Sequence, residues 1–427
     1  MNKSWRSTTL RNLLKIEHGY AFKGEYFSES GHYVLLTPGN FYEEGGFKLR
    51  PGKDRSYSGE IPERYILPKG SMIVAMTEQA EGLLGSPAIM PESNRFLHNQ
   101  RLGLVISKAN RADTNFLYHL FNTNIVRQQI RNSSSGAKVR HTSPERIYRV
   151  KVTIPRLPTQ RKIAAILTAY DDLIETNKRR IALLEKMAEE IYREWFVRMR
   201  FPGYKNTKFV KGVPEGWHLR RFSELVQVNP RESVHKDELA PHVGMEDLSE
   251  SSMHFISKEE RKGAAGSKFR NRDTLLPRIT PCLENGKRGF VTCLKEQQVG
   301  IGSTEFIVFR EKILPAEYIY LISCHQSFRQ HAELSMTGAS GRQRVQNDCF
   351  TYFFVLTPPK NIREQFSAIA RPLFDSISLY ARENLTLTQT RDLLLPRLIS
   401  GKLSVEDLDI QFPPSMCEDI EDAHQKG

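Results

Sequence analysis

The sequence lacks the features that mark membrane, secreted and metal-binding proteins. No uncharged apolar run approaches the roughly 18 residues needed to cross a bilayer, and the opening MNKSWRSTTLR has no apolar core of a signal peptide. All five cysteines lie in the second half, without a CxxC pair. Such a set is typical of free thiols in a reducing cytoplasm, so we expect a cytoplasmic protein with no membrane segment, disulfide framework or metal site.

Motifs that carry catalysis are also missing. The sequence has no G-x4-G-K-[ST] phosphate loop, because ENGKRG at Glu284 lacks both the upstream glycine and the hydroxyl residue. It has no N/D-P-P-Y/F motif of adenine methyltransferases, and NPRE at Asn229 is better interpreted as a turn. We therefore expect that the chain is not an enzyme and binds no cofactor itself.

Positive charge is in excess and is unevenly distributed. The net charge is +13; residues 1–155 contain 22 Lys and Arg against 13 Asp and Glu, and residues 201–357 contain 22 against 18. Residues 358–427 are acidic instead, with 8 against 11. Two basic segments are typical of a protein that binds a polyanion such as DNA, although charge of this size can also serve solubility.

A heptad pattern dominates the middle of the chain. Apolar or neutral residues recur there at alternating spacings of four and three, which is the seam of a coiled coil. The seam comprises Ile163, Leu167, Tyr170, Ile174, Asn177, Ile181, Leu184, Ala188, Ile191 and Trp195. Asn177 is its only frankly polar member, and such a residue can disfavour slipped pairings at some cost in stability.

The partner of this helix is predicted by an internal repeat. Trp5 matches Trp217 at an offset of 212, within SWRSTTLRNLLKI and GWHLRRFSELVQV. Later, SSSGAKVRHT corresponds to TGASGRQRVQ, with Gly136 against Gly338. Each copy then runs through a short strand into proline and a long helical segment, so the second copy should supply a helix that pairs with the first.

The second helical segment has a weaker seam. Its positions are Phe366, Ile369, Leu373, Ile377, Tyr380, Leu387 and Leu394. We expect Pro372 to kink this helix or to begin it afresh, and Pro396 and Gly401 to end it. If the connections run alike in both copies, the two helices pair antiparallel within one chain.

This layout resembles the specificity subunit of bacterial and archaeal type I restriction-modification enzymes. The resemblance covers residues 1 to about 403 and is carried by three features of the sequence. They are the twice-written W-x4-L-x2-L-x2-I pattern, GYAFKGEYF at Gly19, and IPRLPTQRKIAAILTAYDDLIETNKRRIALLEKMAEEIYREWF. The second copy departs from the pattern, since NPRES at Asn229 replaces the G-x-A-F-K-like turn.

The resemblance implies an α/β (α+β) fold with a pseudo-two-fold internal repeat. Two tandem target recognition domains would be separated by a long antiparallel two-helix coiled coil. The implied segments are recognition domain 1 (1–155), the first helix (156–200), recognition domain 2 (201–357), the second helix (358–403) and an acidic C-terminal tail (404–427).

The resemblance also implies a division of labour in phage defence. Each recognition domain would bind one half of a split sequence in double-stranded DNA. Two methyltransferase subunits and the restriction and translocase subunits would assemble on the chain. Those partners would use S-adenosylmethionine, ATP and Mg, and would perform adenine methylation or ATP-dependent cleavage.

Two loops at matching positions of the repeats are the candidate DNA contacts. Glycine and serine let backbone N–H groups approach phosphates, lysine and arginine neutralise them, and arginine and glutamine can bond base edges in the major groove. The candidate residues are Lys138, Arg140, Arg342, Gln343, Arg344 and Gln346. The alternative is a solvated loop whose charges serve solubility.

The segment REWFVRMRF, from Arg193, is a second candidate surface. It is more apolar and basic than a pair of helices requires. Trp195 and Phe196 could complete the core of the coil, or the outward face of the segment could bind a methyltransferase subunit.

Other classes of function remain open from the residues alone. The chain could be a non-catalytic coiled-coil adaptor or a stand-alone DNA-binding protein, and a self-contained nuclease or methyltransferase would need unrecognised motifs. Binding to a split DNA sequence that depends on salt and on a methyltransferase partner would distinguish the specificity subunit from these.

The first seam also predicts a distance. From Ile163 to Trp195 it spans 33 residues, which is roughly 50 Å at about 1.5 Å per residue. Recognition domains held at its ends would bind half-sites about one helical turn apart, near 10 base pairs centre to centre. Half-sites of three to four base pairs would then leave an unread gap of about 6 or 7 base pairs.

Overall fold

A computed structural model describes residues 5–50, 52–78, 81–136, 138–257, 259–263, 265–339 and 343–417 of the chain. Helices and strands are mixed throughout these residues. None of the described helices is long and apolar enough to span a membrane. All five cysteines are free thiols, as the sequence predicts.

The described residues of the first repeat form thirteen strands and three short α-helices, and the first long helix follows them. The strands are β1 (Arg6–Thr9), β2 (Leu14–His18), β3 (Phe27–Ser28), β4 (Val34–Leu35), β5 (Arg55–Tyr57), β6 (Ile66–Leu67), β7 (Met72–Ala75), β8 (Thr77–Glu78), β9 (Pro87–Ile89), β10 (Phe96–Leu97), β11 (Leu102–Ser107), β12 (Arg140–His141) and β13 (Lys151–Ile154). The helices are α1 (Thr114–Phe121), α2 (Asn124–Asn132), α3 (Pro144–Tyr148) and the long α4 (Leu157–Tyr192), which continues into a turn of π-helix (Arg193–Val197).

The second repeat has a similar inventory. Its strands are β14 (Phe209–Val210), β15 (Val213–Pro214), β16 (His218–Arg221), β17 (Val226–Val228), β18 (Leu239–Val243), β19 (Glu259–Lys262), β20 (Ser267–Phe269), β21 (Thr274–Pro277), β22 (Gly289–Phe290), β23 (Gly300–Gly302), β24 (Phe306–Glu311), β25 (Met336–Thr337), β26 (Arg344–Val345) and β27 (Phe354–Thr357). Its helices are α5 (Phe222–Leu225), α6 (Ala316–Cys324), α7 (Gln326–Leu334) and the long α8 (Lys360–Ile399).

Strand order repeats along with the sequence. An antiparallel sheet β2-β11-β7-β9 in the first repeat corresponds to β17-β24-β21-β22 in the second. A second sheet in each repeat contains one parallel pair, β4 with β10 and β18 with β23. A strand near the start of each repeat pairs antiparallel with the strand before the long helix, β1 with β13 and β16 with β27. The two copies of the pattern therefore fold alike, as the internal repeat predicts.

The chain divides into two compact units that each contain part of both long helices. One unit comprises Met1–Ile174 and Thr386–Gly427, and the other comprises Glu175–Leu385. Each globular repeat is thus grouped with the beginning of the helix that follows it and with the far end of the other long helix. This division differs from the five segments expected from the sequence, which set the helices apart as domains of their own.

Helix pairing in the first unit involves the start of α4 and the end of α8. Ile163 and Leu398 are fully buried in one apolar cluster. Further along, Arg391 Nη1 donates to Asp171 Oδ1 at 2.6 Å. Residues later on α4 therefore contact residues earlier on α8, so the pairing is antiparallel, as predicted.

The second unit contains the rest of the pair in the same orientation. Asn177 Nδ2 donates to Glu383 Oε2 at 3.0 Å, and the Arg180 guanidinium lies over the Tyr380 ring. At the end of α4, the Phe196 ring lies 4.8 Å from that of Phe366 at the start of α8. Asn177 is buried. The polar member of the first seam therefore needs a hydrogen-bonding partner, and Glu383 on the opposite helix provides it.

Along α4, each residue of the predicted seam is at least half-buried. Tyr170, Leu184 and Ile191 are half-buried, and the others are buried. Leu183 and Met187 on the same helix are exposed. A face of α4 with the spacing of the heptad pattern therefore lies in the interior.

On α8 the buried face differs from the predicted seam. Leu373, Tyr380 and Leu387 are half-buried, but Ile369 is 44% exposed, so its assignment to the seam is wrong. The buried apolar residues of this helix in the second unit are Ile362, Phe366, Ala370, Phe374, Ile377 and Ala381. Alanines occupy two of these positions.

Prolines do not interrupt α8. The helix continues through Pro372 and Pro396, so the predicted fresh start at Pro372 and the stop at Pro396 are wrong. A proline removes one N–H from the helix at a cost of about 3 kcal/mol, and burial of neighbours such as Phe374 can offset that cost. Gly401 follows the end of the helix with φ +73°, in the left-handed conformation expected of a helix-ending glycine.

The described part of the C-terminal segment packs against the first unit. Val405 and Met416 are buried in the same cluster as Ile163. Lys162 Nζ donates to the backbone carbonyl oxygens of Glu406 and Leu408, both at 2.7 Å. Residues up to 417 therefore contribute to the core as well as supplying negative charge.

The corrected face of α8 gives a matched pair of substitutions. Phe366 is fully buried beside Trp195 and Tyr318. We expect Phe366→Ala to lower the free energy of unfolding by about 3–5 kcal/mol. Ile369→Ala, three residues away on the exposed face, should change it by less than about 0.5 kcal/mol. Urea unfolding followed by tryptophan fluorescence measures both, and equal losses would restore Ile369 to the core.

Candidate DNA interface

Each candidate loop is the tip of a β-hairpin. In the first repeat Ser135 and His141 exchange both backbone hydrogen bonds, at 3.0 and 2.8 Å. In the second repeat β25 pairs with β26, with Thr337 opposite Arg344. The described residues that flank the two loops are therefore paired antiparallel in both repeats.

The backbone conformation explains why glycine stands at the matching positions of the two loops. Gly136 has φ +102° and Gly338 has φ +123°, which is the left-handed region that favours glycine. A Cβ atom at Gly136 would stand 2.0 Å from the Val139 carbonyl oxygen. A side chain at that position would therefore force the hairpin tip to rearrange.

Both hairpins are attached at the end of equivalent central strands. In the first repeat, β12 pairs with β8, with Arg140 opposite Glu78, and the Thr142 amide donates to the Met76 carbonyl at 2.9 Å. In the second, the Val345 amide donates to the Arg278 carbonyl at 2.8 Å. The residues just after β7 and β21 thus determine where each hairpin lies.

The basic side chains of the first hairpin are accessible. Lys138 is exposed and Arg140 is half-buried. Arg140 Nη1 lies 3.5 Å from Ser134 Oγ, at the limit of a hydrogen bond. Either side chain could contact a phosphate without first losing a strong ion pair in this hairpin.

The second hairpin differs because its arginine is bound by a carboxylate. Arg344 Nε donates to Glu305 Oε1 at 2.9 Å, and Nη2 donates to the same oxygen at 2.8 Å. The hydrogen bonds and the charge of Glu305 raise the pKa of the Arg344 guanidinium. A DNA phosphate would have to compete with Glu305 for this residue.

The glutamines near the second tip also have partners. The backbone carbonyl of Gln343 accepts a hydrogen bond from the Thr280 backbone amide at 3.2 Å. The exposed Gln346 side chain donates to Thr337 Oγ1. Arg342 lies outside the described residues, so its role stays a prediction. The structure therefore places Gln343, Arg344 and Gln346 together on one hairpin, and Lys138 with Arg140 on the other.

Two acidic residues beside the hairpins were missed by sequence reasoning. Glu305 neutralises Arg344, and Glu78 is a buried carboxylate that accepts hydrogen bonds from the backbone amides of Gly82 and Leu84, at 3.1 and 2.8 Å. Both residues lie far from the hairpin tips in sequence. Only the strand pairing brings them to the site.

The site offers polar and cationic side chains but no metal-binding cluster. In the part of the chain that the structure describes, no group of three or more His, Cys, Asp or Glu residues is arranged to bind a metal ion. The hairpins present exposed backbone, lysine, arginine and glutamine. These groups can bind phosphates and base edges.

Known proteins are similar to the chain in sequence. Residues 2–186 match the family model of the type I restriction modification DNA specificity domain. The chain is 26% identical over 365 residues to the type I restriction enzyme MjaIX specificity subunit of Methanocaldococcus jannaschii, covering 80% of each chain. It is 26% identical over 206 residues to the EcoAI specificity subunit of Escherichia coli, covering 46% of this chain and 35% of that one.

A solved structure also resembles the chain over most of its length. The crystal structure of the type I restriction-modification system S subunit from M. genitalium aligns with a TM-score of 0.59 at 13% identity. The alignment covers 93% of this chain and 97% of that chain. At this identity the likeness concerns the fold.

The accessible arginine of the first hairpin gives a direct test. We expect Arg140→Ala to weaken binding of the full chain to duplex DNA and to reduce the slope of log affinity against log salt by about 0.9, as the loss of one phosphate contact should. Fluorescence anisotropy over a series of KCl concentrations measures both quantities.

A charge-matched control is available in the same unit. Arg149 is exposed and lies outside the hairpin, so Arg149→Ala should leave the slope unchanged. If Arg140→Ala and the unsubstituted chain had the same affinity at every salt concentration, the first hairpin would be a solvated loop.

Proposed function

We propose that the chain is a type I restriction-modification specificity subunit that binds a DNA sequence split into two halves, one for each repeat; the match of residues 2–186 to the specificity-domain model and the 26% identity to a specificity subunit support this proposal. The chain is the DNA-recognition subunit of such a system, a non-enzymatic role. The observation that supports the split target is the shared strand order of the repeats, with a hairpin attached at the same place in each.

The two hairpins differ in the groups they present, which supports two different half-sites. The first carries Lys138 and Arg140, whereas the sequence of the second carries two glutamines and two arginines, of which Arg344 is bound to Glu305. Arginine and glutamine bond different base edges. Each repeat would therefore select its own short sequence, while the shared fold keeps the mode of binding the same.

Exposed apolar residues on the long helices support docking of methyltransferase subunits. In the second unit Leu183 is 61% exposed and Leu379 is 57% exposed. In the first unit Leu173 and Leu393 are exposed as well. Side chains of this kind in both units fit the two methyltransferase copies that the pseudo-two-fold repeat suggests.

The segment after α4 is less suited to docking than the sequence suggested. Trp195 and Phe196 are buried within the second unit, and Val197 is 46% exposed. The rings therefore complete the core, which is the first of the two interpretations offered by the sequence. The outward apolar faces of α4 and α8 are the better candidate surface.

Chemistry belongs to the partner subunits in this proposal. Methyltransferase subunits would bring S-adenosylmethionine, and restriction and translocase subunits would bring ATP and Mg. The chain would supply the DNA sequence preference and the surface on which these subunits assemble. Its place would be the cytoplasm, with the chromosomal DNA.

Exchange of one repeat tests the split target. Replacing residues 1–155 with the corresponding segment of a related specificity subunit should change one half of the methylated motif and leave the other half as it was, because residues 201–357 fold as a separate copy of the pattern. Genome-wide mapping of methylated adenines in cells that carry the complex measures the outcome. A change in both halves would contradict independent reading by the repeats.

A further inference from the structure

The two repeats carry an equivalent arginine that the proposed function does not use. Arg127 lies in the sequence VRQ and Arg329 in FRQ, at an offset of 202 residues. Each is the fourth residue of a nine-residue helix in its repeat, α2 and α7 respectively. The preceding residues, Val126 and Phe328, are fully buried. Both arginines are therefore held at the same place on the same element.

Arg127 binds the loop that follows β8. Its Nη2 donates to the carbonyl oxygen of Gly82 and, at 2.7 Å, to that of Glu43. The Glu78 carboxylate binds the same loop, because it accepts hydrogen bonds from the backbone amides of Gly82 and Leu84. Since Glu78 lies opposite Arg140 in the strand pairing, the loop connects Arg127 to the first hairpin.

Arg329 lies against the corresponding loop of the second repeat. A Cβ atom at Gly286 would stand 3.0 Å from Arg329 Nη1, so the guanidinium packs directly on this glycine. The same loop begins at Thr280, whose amide donates to the Gln343 carbonyl of the second hairpin at 3.2 Å. Gly82 and Gly286 both have left-handed φ, +111° and +75°, so each loop makes a tight turn beneath its arginine.

The hydrogen bonding of both guanidinium groups is incomplete. Nη1 of Arg127 and Nε of Arg329 are buried and have no hydrogen-bond partner among the described residues. Burial lowers the pKa of Arg127 to about 10. A buried cation with an unsatisfied donor contributes less to stability than a fully paired one. The arrangement therefore fits a role in placing the loop better than a role in stability alone.

We propose that Arg127 and Arg329 are positioning residues for DNA reading, one for each half of the target. Arg127 binds its loop through hydrogen bonds and Arg329 packs on the corresponding loop, and each would thereby fix where the side chains of the attached hairpin meet the bases. This inference rests on the proposed function, because it requires that each hairpin binds its own half-site.

Lysine substitutions test the proposal in the complete complex with its methyltransferase partner. Lysine retains the positive charge but lacks the planar guanidinium, whose Nη2 atom in Arg127 donates to two backbone carbonyls. Arg127→Lys should raise methylation of sites with one wrong base in the first half about tenfold relative to the correct sites, since one mismatched pair typically costs a factor of this order or more. The second half should keep its selectivity. Arg329→Lys should produce the reverse pattern.

The measured quantity is the ratio of methylation at sites with one wrong base to methylation at the correct sites, both in the same preparation. A smaller folded fraction does not change this ratio. Glu78→Gln, which weakens the hydrogen bonds to the first loop, should relax the same half as Arg127→Lys. Arg149→Ala is the control and should leave both halves unchanged.

The outcomes distinguish a failure of the positioning role from a failure of the proposed function. Relaxation of both halves, or of neither, by Arg127→Lys would overturn the positioning role while leaving a split target in place. If the unsubstituted complex methylated no split motif, the proposed function itself would fail.

Discussion

Each globular repeat completes its core with the far end of the helix that follows the other repeat. In the second unit the Phe196 ring at the end of α4 lies 4.6 Å from Tyr318 of the second repeat. In the first unit Leu398 at the end of α8 is fully buried in one cluster with Leu10 of the first repeat. Burial of apolar surface is the dominant favourable term in folding. Neither repeat has all of its own core, and the helix pairing is therefore the constraint on which the other elements depend.

This constraint explains why the pair of helices must keep one register. A shift along the seam would remove Trp195 and Phe196 from one core and Leu398 from the other. The buried Asn177 adds a polar requirement, since its amide donates to Glu383 on the opposite helix. In coiled coils such a residue selects register at some expense of stability. The apolar residues at the helix ends and the polar Asn177 between them thus specify the same register of the helix pair.

Much of this organisation could be predicted from the sequence, because repeats and heptads are periodic signals. The two copies, the long helices, their antiparallel pairing and the paired loops with Gly136 and Gly338 are visible as spacing. The face of α8 was harder. Large aliphatic residues suggested Ile369, but the buried surface uses Ala370 and Ala381, and small residues give little hydrophobic signal.

Contacts distant in sequence were beyond prediction. Glu305 binds Arg344 across 39 residues, and Arg127 binds Gly82 across 45, and only the strand order brings these groups together. The equivalence of Arg127 and Arg329 was present in the sequence as a shared Arg-Gln dipeptide after an apolar residue. Its meaning required the loops on which both guanidinium groups pack.

We propose that the helix pair also sets the spacing of the two half-sites. The most direct measurement inserts one heptad after Asn177 and a matching heptad before Glu383, and then maps methylated adenines genome-wide. Seven residues add about 10.5 Å to a helix, or about three base pairs at 3.4 Å per pair. The account predicts an unread gap longer by about that amount, with both half-site sequences unchanged. An active complex that kept the original gap would contradict it.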